Sequence, residues 1–227
     1  MNRVEQYLAD KLSERTQAGN LRRLTTQRSS VDLFSNDYLG LANGTLAELM
    51  RPDSVDNTGS TGSRLLSGNT GRAELLEHTI ASFHKAETAL LFNSGYDANM
   101  GLLASIASRH STILSDELCH ASIIDGIRLS QCSRKYRFGH NDLIDLQEKL
   151  NNYKTEGPVI VVVESIYSMD GDMAPLKEMA ALCEKYEAQL IVDEAHATGV
   201  IGTNGEGLVC ALGLENNVFA RVHTFGK

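Results

Sequence analysis

The 227-residue sequence has no run of lysine or arginine, and its formal charge is −8, from 21 Lys and Arg against 29 Asp and Glu. A nucleic acid or an anionic membrane selects for clustered basic residues, so neither is expected as a partner. No apolar stretch is long enough to cross a bilayer. The N-terminus, MNRVEQYLADKLSER, carries charges throughout and lacks the apolar core of a signal peptide. Cysteine is sparse: Cys119, Cys132, Cys183 and Cys210 are scattered, with no C-x-x-C pair. Neither a disulfide framework nor a metal site is expected, and a reducing cytoplasm fits.

Three catalytic signatures are also missing. Leu190–His196 reads LIVDEAH, like the acidic strand of P-loop nucleotide hydrolases, but no G-x-x-x-x-G-K-[ST] precedes it. Without that loop the phosphates have no cradle. Ser168, Asp193 and His196 invite a hydrolase reading. However, Ser168 lies in I-Y-S-M-D rather than in a G-x-S-x-G elbow, and Asp193 and His196 are too close in sequence for an ordinary acid and base pair. Gly199, Gly202, Gly205 and Gly207 do not reproduce the G-x-G-x-x-G spacing of a dinucleotide site.

What is present is an ordinary globular composition, 42% hydrophobic and 22% charged, organised around Ala188–Gly202, AQLIVDEAHATGVIG. A short apolar run ends in Asp193, with His196 and glycines beyond it. Among alternating helices and strands this reads as a buried parallel strand with polar groups at its carboxyl end, the edge where open α/β sheets bind ligands. A buried carboxylate there needs a cationic partner. The protonated ring nitrogen of pyridoxal phosphate would supply one.

The chain in order supports an α/β reading. Residues 1–15 form an amphipathic helix, with Val4, Leu8 and Leu12 on one face. Arg22 and Arg23 follow, either as a solvated helix end or as a guanidinium fork for a substrate carboxylate. A short strand closes in the Asn36-Asp37 turn, where Asn36 is more simply a turn former than a site residue. Asn57–Gly71 is rich in Gly, Ser and Thr, a loop that could form a backbone wall around a ligand. A helix from Arg72 to Lys85 leads to an expected buried strand, Thr88–Phe92. That strand would run through Asn93-Ser94-Gly95-Tyr96 into a helix ending near Ser108, a weak signal for a phosphate at a helix N-terminus. His120 precedes the helix Ile123–Leu129, as a cap or as a group stacked on a cofactor ring. Further strands are expected at Thr112–Leu114, Lys135–Phe138, Pro158–Val163 and Val218–Val222, with helices at Leu143–Asn151 and from Pro175 to about Tyr186. The expected architecture is doubly wound, with a mostly parallel sheet and helices on both faces. Residues 1–35 form an N-terminal helix and arm, and residues 36–227 a cofactor-binding large domain.

Several parts of a pyridoxal phosphate site therefore lie at strand ends and helix starts. Asp193 faces the ring nitrogen, Ser94-Gly95-Tyr96 the phosphate, and Ser168 and His196 are candidates for the ring hydroxyl. Lys227 is available for the Schiff base.

Seven stretches, SNDYLGL, GSTGSRLLSGN, LFNSGYDAN, CHASIIDG, ESIYSMDGDMAPL, VDEAHATGVIG and HTFGK, together resemble the α-oxoamine synthases. These are pyridoxal phosphate enzymes of the aspartate-aminotransferase type, fold type I. The similarity runs from about Arg22 to the last residue. It implies that Lys227 carries the Schiff base and takes the α-proton, and that His120 stacks on the ring and handles substrate. It further implies that Ser168 and His196 approach the ring hydroxyl and that Thr224, Gly95 and Tyr96 line the phosphate side. Arg22, or Arg23 beside it, would contact substrate. The loop Ser60–Gly68 would lie near a homodimer interface. The form of that loop most resembles the branch that joins L-alanine to a pimeloyl thioester, of coenzyme A or of a carrier protein, in biotin synthesis. Family members continue past the lysine into a smaller C-terminal domain, which is absent from this sequence. The chain is therefore expected to belong to a longer protein, and a molecule stopping at Lys227 is expected to lack useful synthase activity.

Overall fold

The computed structural model describes residues 3–21, 62–153 and 157–226. Its contacts divide the chain into two units, Met1–Asn36 and Asp37–Lys227. In the first unit, helix α1 spans Arg3–Gln17 and is laced by Gln6–Asp10 (2.9 Å) and Lys11–Glu14 (2.7 Å) contacts. Tyr7, Leu8 and Leu12 are exposed on it.

The second unit alternates helix and strand. After a π-helical turn at Arg64–Gly68, its elements are α2 (Gly71–Phe83), α3 (Gly95–Ile106), β1 (Thr112–Asp116), α4 (Ala121–Leu129), β2 (Arg134–Phe138), α5 (Leu143–Asn152), β3 (Val159–Glu164), α6 (Leu176–Lys185), β4 (Gln189–Asp193), α7 (Leu208–Ala211) and β5 (Ala220–Val222). The five strands form one sheet in the order β2-β1-β3-β4-β5, every pairing parallel. β3 is apolar up to its final Glu164, and all six of its residues are buried, as a strand covered on both faces requires. Its side chains alternate between two cores. Val159, Val161 and Val163 join Leu146, Leu150, Leu176 and Met179 from α5 and α6. Ile160 and Val162 join Leu103, Ile123 and Ile127 from α3 and α4.

Helix starts are fixed by their own side chains. Ser94 Oγ accepts from Asp97 N–H at 3.0 Å, and Asp142 accepts from Ile144 and Asp145 N–H at 2.9 and 3.0 Å. The short helix α7, which the sequence pattern did not indicate, follows Gly207. There φ is +99° and a β-carbon would fall 2.6 Å from Glu194 Oε2, so only glycine fits.

Thr88–Phe92 is not the buried strand its composition suggests: Leu90 is 64% exposed and Phe92 44%. Strand composition makes a strand only where a ladder partner exists, and none of the described strands pairs with it. Leu91 N–H instead donates to Glu77 at 2.8 Å. Leu75, Leu76 and Phe83 on the apolar face of α2 are likewise exposed.

α3 and α4 pack closely because Gly126 has no side chain. A β-carbon there would lie 2.9 Å from Asn99 O and 3.1 Å from Met100 Cα. Alanine in a helix normally gains roughly 0.5–1 kcal/mol over glycine. Here the steric clash is with backbone, so Gly126→Ala is expected to destabilise the protein by about 1–3 kcal/mol, read as a lower urea midpoint. A raised midpoint would contradict this packing.

Candidate active site

β1, β3 and β4 end in Asp116, Glu164 and Asp193, and parallel strands bring all three acids to one edge of the sheet. Asp193 is 6% exposed. Its Oδ1 accepts from Ala195 N–H (2.9 Å) and its Oδ2 from the Asn99 amide (2.7 Å). Glu164, its register partner on β3, is 2% exposed. Its Oε1 accepts from His120 N–H (2.6 Å) and its Oε2 from Ser168 N–H (3.1 Å). Among the described residues no Lys, Arg or His is in ion-pair distance of either acid. Burial, with the Asp193 charge beside it, pushes the Glu164 carboxyl up to about 7. Between pH 4.5 and 7 the folded chain therefore keeps a proton on Glu164 that an unfolded chain gives up. Glu164 works against folding increasingly across that window.

A hydrogen-bond chain runs from Asp193 to His120. Asn99, buried on α3, donates both to Asp193 and to Ser122 Oγ (3.0 Å), and Ser122 Oγ meets His120 Nδ1 at 2.8 Å. His120 caps α4, its Nδ1 accepting from Ser122 N–H at 3.2 Å. This fixes the ring as both a cap and a half-buried group at the edge. Tyr96 stands edge-on to it, with centroids 6.1 Å apart, and its hydroxyl donates to Asp125.

Gly95, the first residue of α3, abuts Thr224 beyond β5: a β-carbon at Gly95 would clash with Thr224 Cγ2. Thr224 Oγ1 donates to Ala195 O at 3.3 Å, which ties this segment to the turn after β4. The turn also carries His196, half-buried. Ser168 is exposed, four residues past the end of β3. Just before Thr224, His223 stacks on His84 (3.6 Å, 22°), and its Nδ1 meets Thr198 Oγ1 at 2.9 Å. Burial, with His84 and Arg221 nearby, holds His223 neutral, its pKa pushed down to about 3. The third acid, Asp116, serves the scaffold instead. It accepts from Leu118 and Asn141 N–H (both 2.9 Å) and contacts His140 Nδ1 (3.0 Å), whose Nε2 reaches Asp172 (2.9 Å).

The structure thus places Gly95, Tyr96, His120, Ser168, Asp193, His196 and Thr224 on one sheet edge or at the helix start beside it. Arg22, Arg23, Asn36 and Lys227 lie outside the described residues. Two site residues escaped the sequence reading. Glu164 had a usable signal, since it ends the run PVIVVVE as Asp193 ends LIVD. Asn99, mid-helix, had none.

The buried Asp193 carboxyl group, oriented by two neutral donors, and the side-chain-free start of α3 match the donor set a cationic pyridine ring bearing a phosphate requires. Residues 28–227 match the family model for aminotransferase class I and II, and the chain belongs to that family. It is 44% identical over 217 residues to the 8-amino-7-oxononanoate synthase of Emericella nidulans, covering 88% of this chain and 53% of that protein. Among solved structures, a serine palmitoyltransferase from Sphingomonas wittichii superposes with TM-score 0.83 at 32% identity, over 97% of this chain and 59% of that one. One from S. paucimobilis, with a bound PLP–myriocin aldimine, superposes with TM-score 0.77 at 29% identity, over 99% and 61%. Within the family the chain is an α-oxoamine synthase homologue, similar in sequence to 8-amino-7-oxononanoate synthases. It spans about half the length of the curated relatives it matches.

Asn99→Ala removes the donor to Asp193 Oδ2 and leaves a buried carboxylate oxygen unpaired. The expected loss is about 1–3 kcal/mol of stability in urea titration at neutral pH. An unchanged midpoint would mean the Asn99 bond contributes nothing.

Proposed function

We propose that this chain carries the cofactor-binding part of a pyridoxal phosphate-dependent acyltransferase of biotin synthesis. The reaction condenses L-alanine with a pimeloyl thioester, on coenzyme A or a carrier protein, with loss of carbon dioxide, and yields 8-amino-7-oxononanoate. The observation that carries the cofactor assignment is Asp193, buried at a central strand end with no described cation beside it. The substrate assignment draws on the similarity of the sequence to 8-amino-7-oxononanoate synthases.

When bound, pyridoxal phosphate supplies the sink for the electron pair left at the amino acid's α-carbon. The remaining work belongs to the chain. Asp193 keeps a proton on the ring nitrogen, and Asn99 keeps Asp193 in place. Lys227 holds the cofactor's aldehyde carbon and takes the α-proton. His120 lies against the ring face, its imidazole oriented through Ser122. Ser168 and His196 serve the ring hydroxyl. The backbone of Gly95 and Tyr96, with the Thr224 hydroxyl, receives the phosphate at the positive end of α3. Arg22, or Arg23, forks onto a substrate carboxylate. The protein acts as a homodimer in the cytoplasm, with Ser60–Gly68 at the interface. The exposure of Leu65 (98%) and Leu66 (87%) supports that placement. A second reading is another α-oxoamine synthase, such as a glycine C-acetyltransferase; the likeness to serine palmitoyltransferase structures supports the family without choosing between its branches.

The test is product formation by the whole protein from L-alanine and pimeloyl thioester, followed by mass spectrometry. Asp193→Asn is expected to lower kcat by on the order of 10²-fold or more, as removal of a pre-oriented charge does. Turnover of glycine or L-serine in preference to L-alanine would support the second reading.

A further inference from the structure

We propose that Glu164 is a positioning residue of this site: as a carboxylate it fastens the His120 turn and the Ser168 turn to the end of β3, and a cation seated on Asp193 draws it into that form. The proposal rests on the cofactor reading above. Its geometry is already complete within the chain. Each Glu164 oxygen accepts one backbone N–H, from His120 at 2.6 Å and from Ser168 at 3.1 Å. Those two donors belong to the connections that follow β1 and β3, and they carry the ring-face histidine and the serine assigned to the ring hydroxyl. An ionised carboxylate accepts both bonds with a charge-assisted oxygen, whereas a protonated one offers a hydroxyl oxygen, a weaker acceptor, to one of these donors, so that bond weakens.

The groups facing Glu164 explain why its ionisation depends on what Asp193 holds. Asp193 comes from β4 and Asp116 from the end of β1. Cys119 and His120 come from the connection into α4, and Tyr167 from the loop after β3. The acids among them disfavour a second negative charge, and no described cation lies in ion-pair distance of Glu164. A positive ring on Asp193 cancels the nearest opposing charge. Glu164 then gives its proton to solvent, and both N–H bonds are held by a full carboxylate.

The experiment is calorimetric titration of the apo-protein with pyridoxal phosphate at pH 6–8, in buffers of differing ionisation enthalpy, for wild type and Glu164→Gln. Cofactor binding is followed in parallel by visible absorption. The wild type is expected to release a fraction of a proton more than the variant, most near pH 7. Its affinity is expected to rise with pH relative to the variant's, about tenfold for each unit by which binding lowers the Glu164 pKa. Hydrogen exchange on the unmodified apo-protein gives a second readout that needs no variant. Corrected for intrinsic rates, protection at His120 and Ser168 is expected to increase from pH 5.5 to 8, and to increase again on cofactor binding. Normal binding with equal proton counts, or protection that does not change with pH, overturns the role of Glu164 and leaves the cofactor reading standing. Absence of any binding overturns both.

Discussion

Two carboxylates lie side by side where two apolar strands end, and much of the second unit is arranged to tolerate them. Glu164 and Asp193 are register partners, nearly fully buried, with no described cation close by. Burying like charges together is unfavourable unless each oxygen is hydrogen-bonded and some positive group is eventually received. The chain supplies the hydrogen bonds itself: Asn99 and the Ala195 N–H for Asp193, and the His120 and Ser168 N–H groups for Glu164. A protonated pyridine ring is the positive group that this edge suits.

That constraint accounts for features that otherwise look unrelated. α3 must approach the strand end closely enough for Asn99 to reach Asp193, and α4 must lie on α3 for Ser122 to meet Asn99. Gly126 permits the second approach and Gly95, against Thr224, the beginning of the first. The helices flank the sheet because β3 and β4 are apolar on both faces. The same hydrophobic packing that builds the core therefore fixes the hydrogen-bond chain from Asp193 to His120. The neutral His223–His84 stack does comparable work beyond β5, anchoring the segment that leads through Thr224 toward Lys227.

Much of this was legible in the sequence. Continuous β-branched runs such as PVIVVV announce strands buried on both faces. Acids directly after such runs announce a polar sheet edge. The cap at Asp142 follows from residue type. Three things were not legible, for different reasons. Thr88–Phe92 has strand composition, but a ladder needs a partner and composition does not say whether one is present. Asn99 is a polar residue in mid-helix, indistinguishable in one dimension from a solvent-facing one, and only the crossing of α3 over β4 gives it Asp193 to bind. The α7 turn depends on Gly207 backing onto Glu194, thirteen residues away in the sequence but adjacent in space.

The most direct test of cofactor binding at this sheet edge is to reduce the whole protein with borohydride in the presence of pyridoxal phosphate and map the pyridoxyl mass by peptide mass spectrometry. A yellow protein that loses its visible band on reduction, with the label on Lys227, is the predicted result. A protein that stays colourless, or one labelled only at surface lysines elsewhere, would contradict the assignment of this sheet edge to the cofactor.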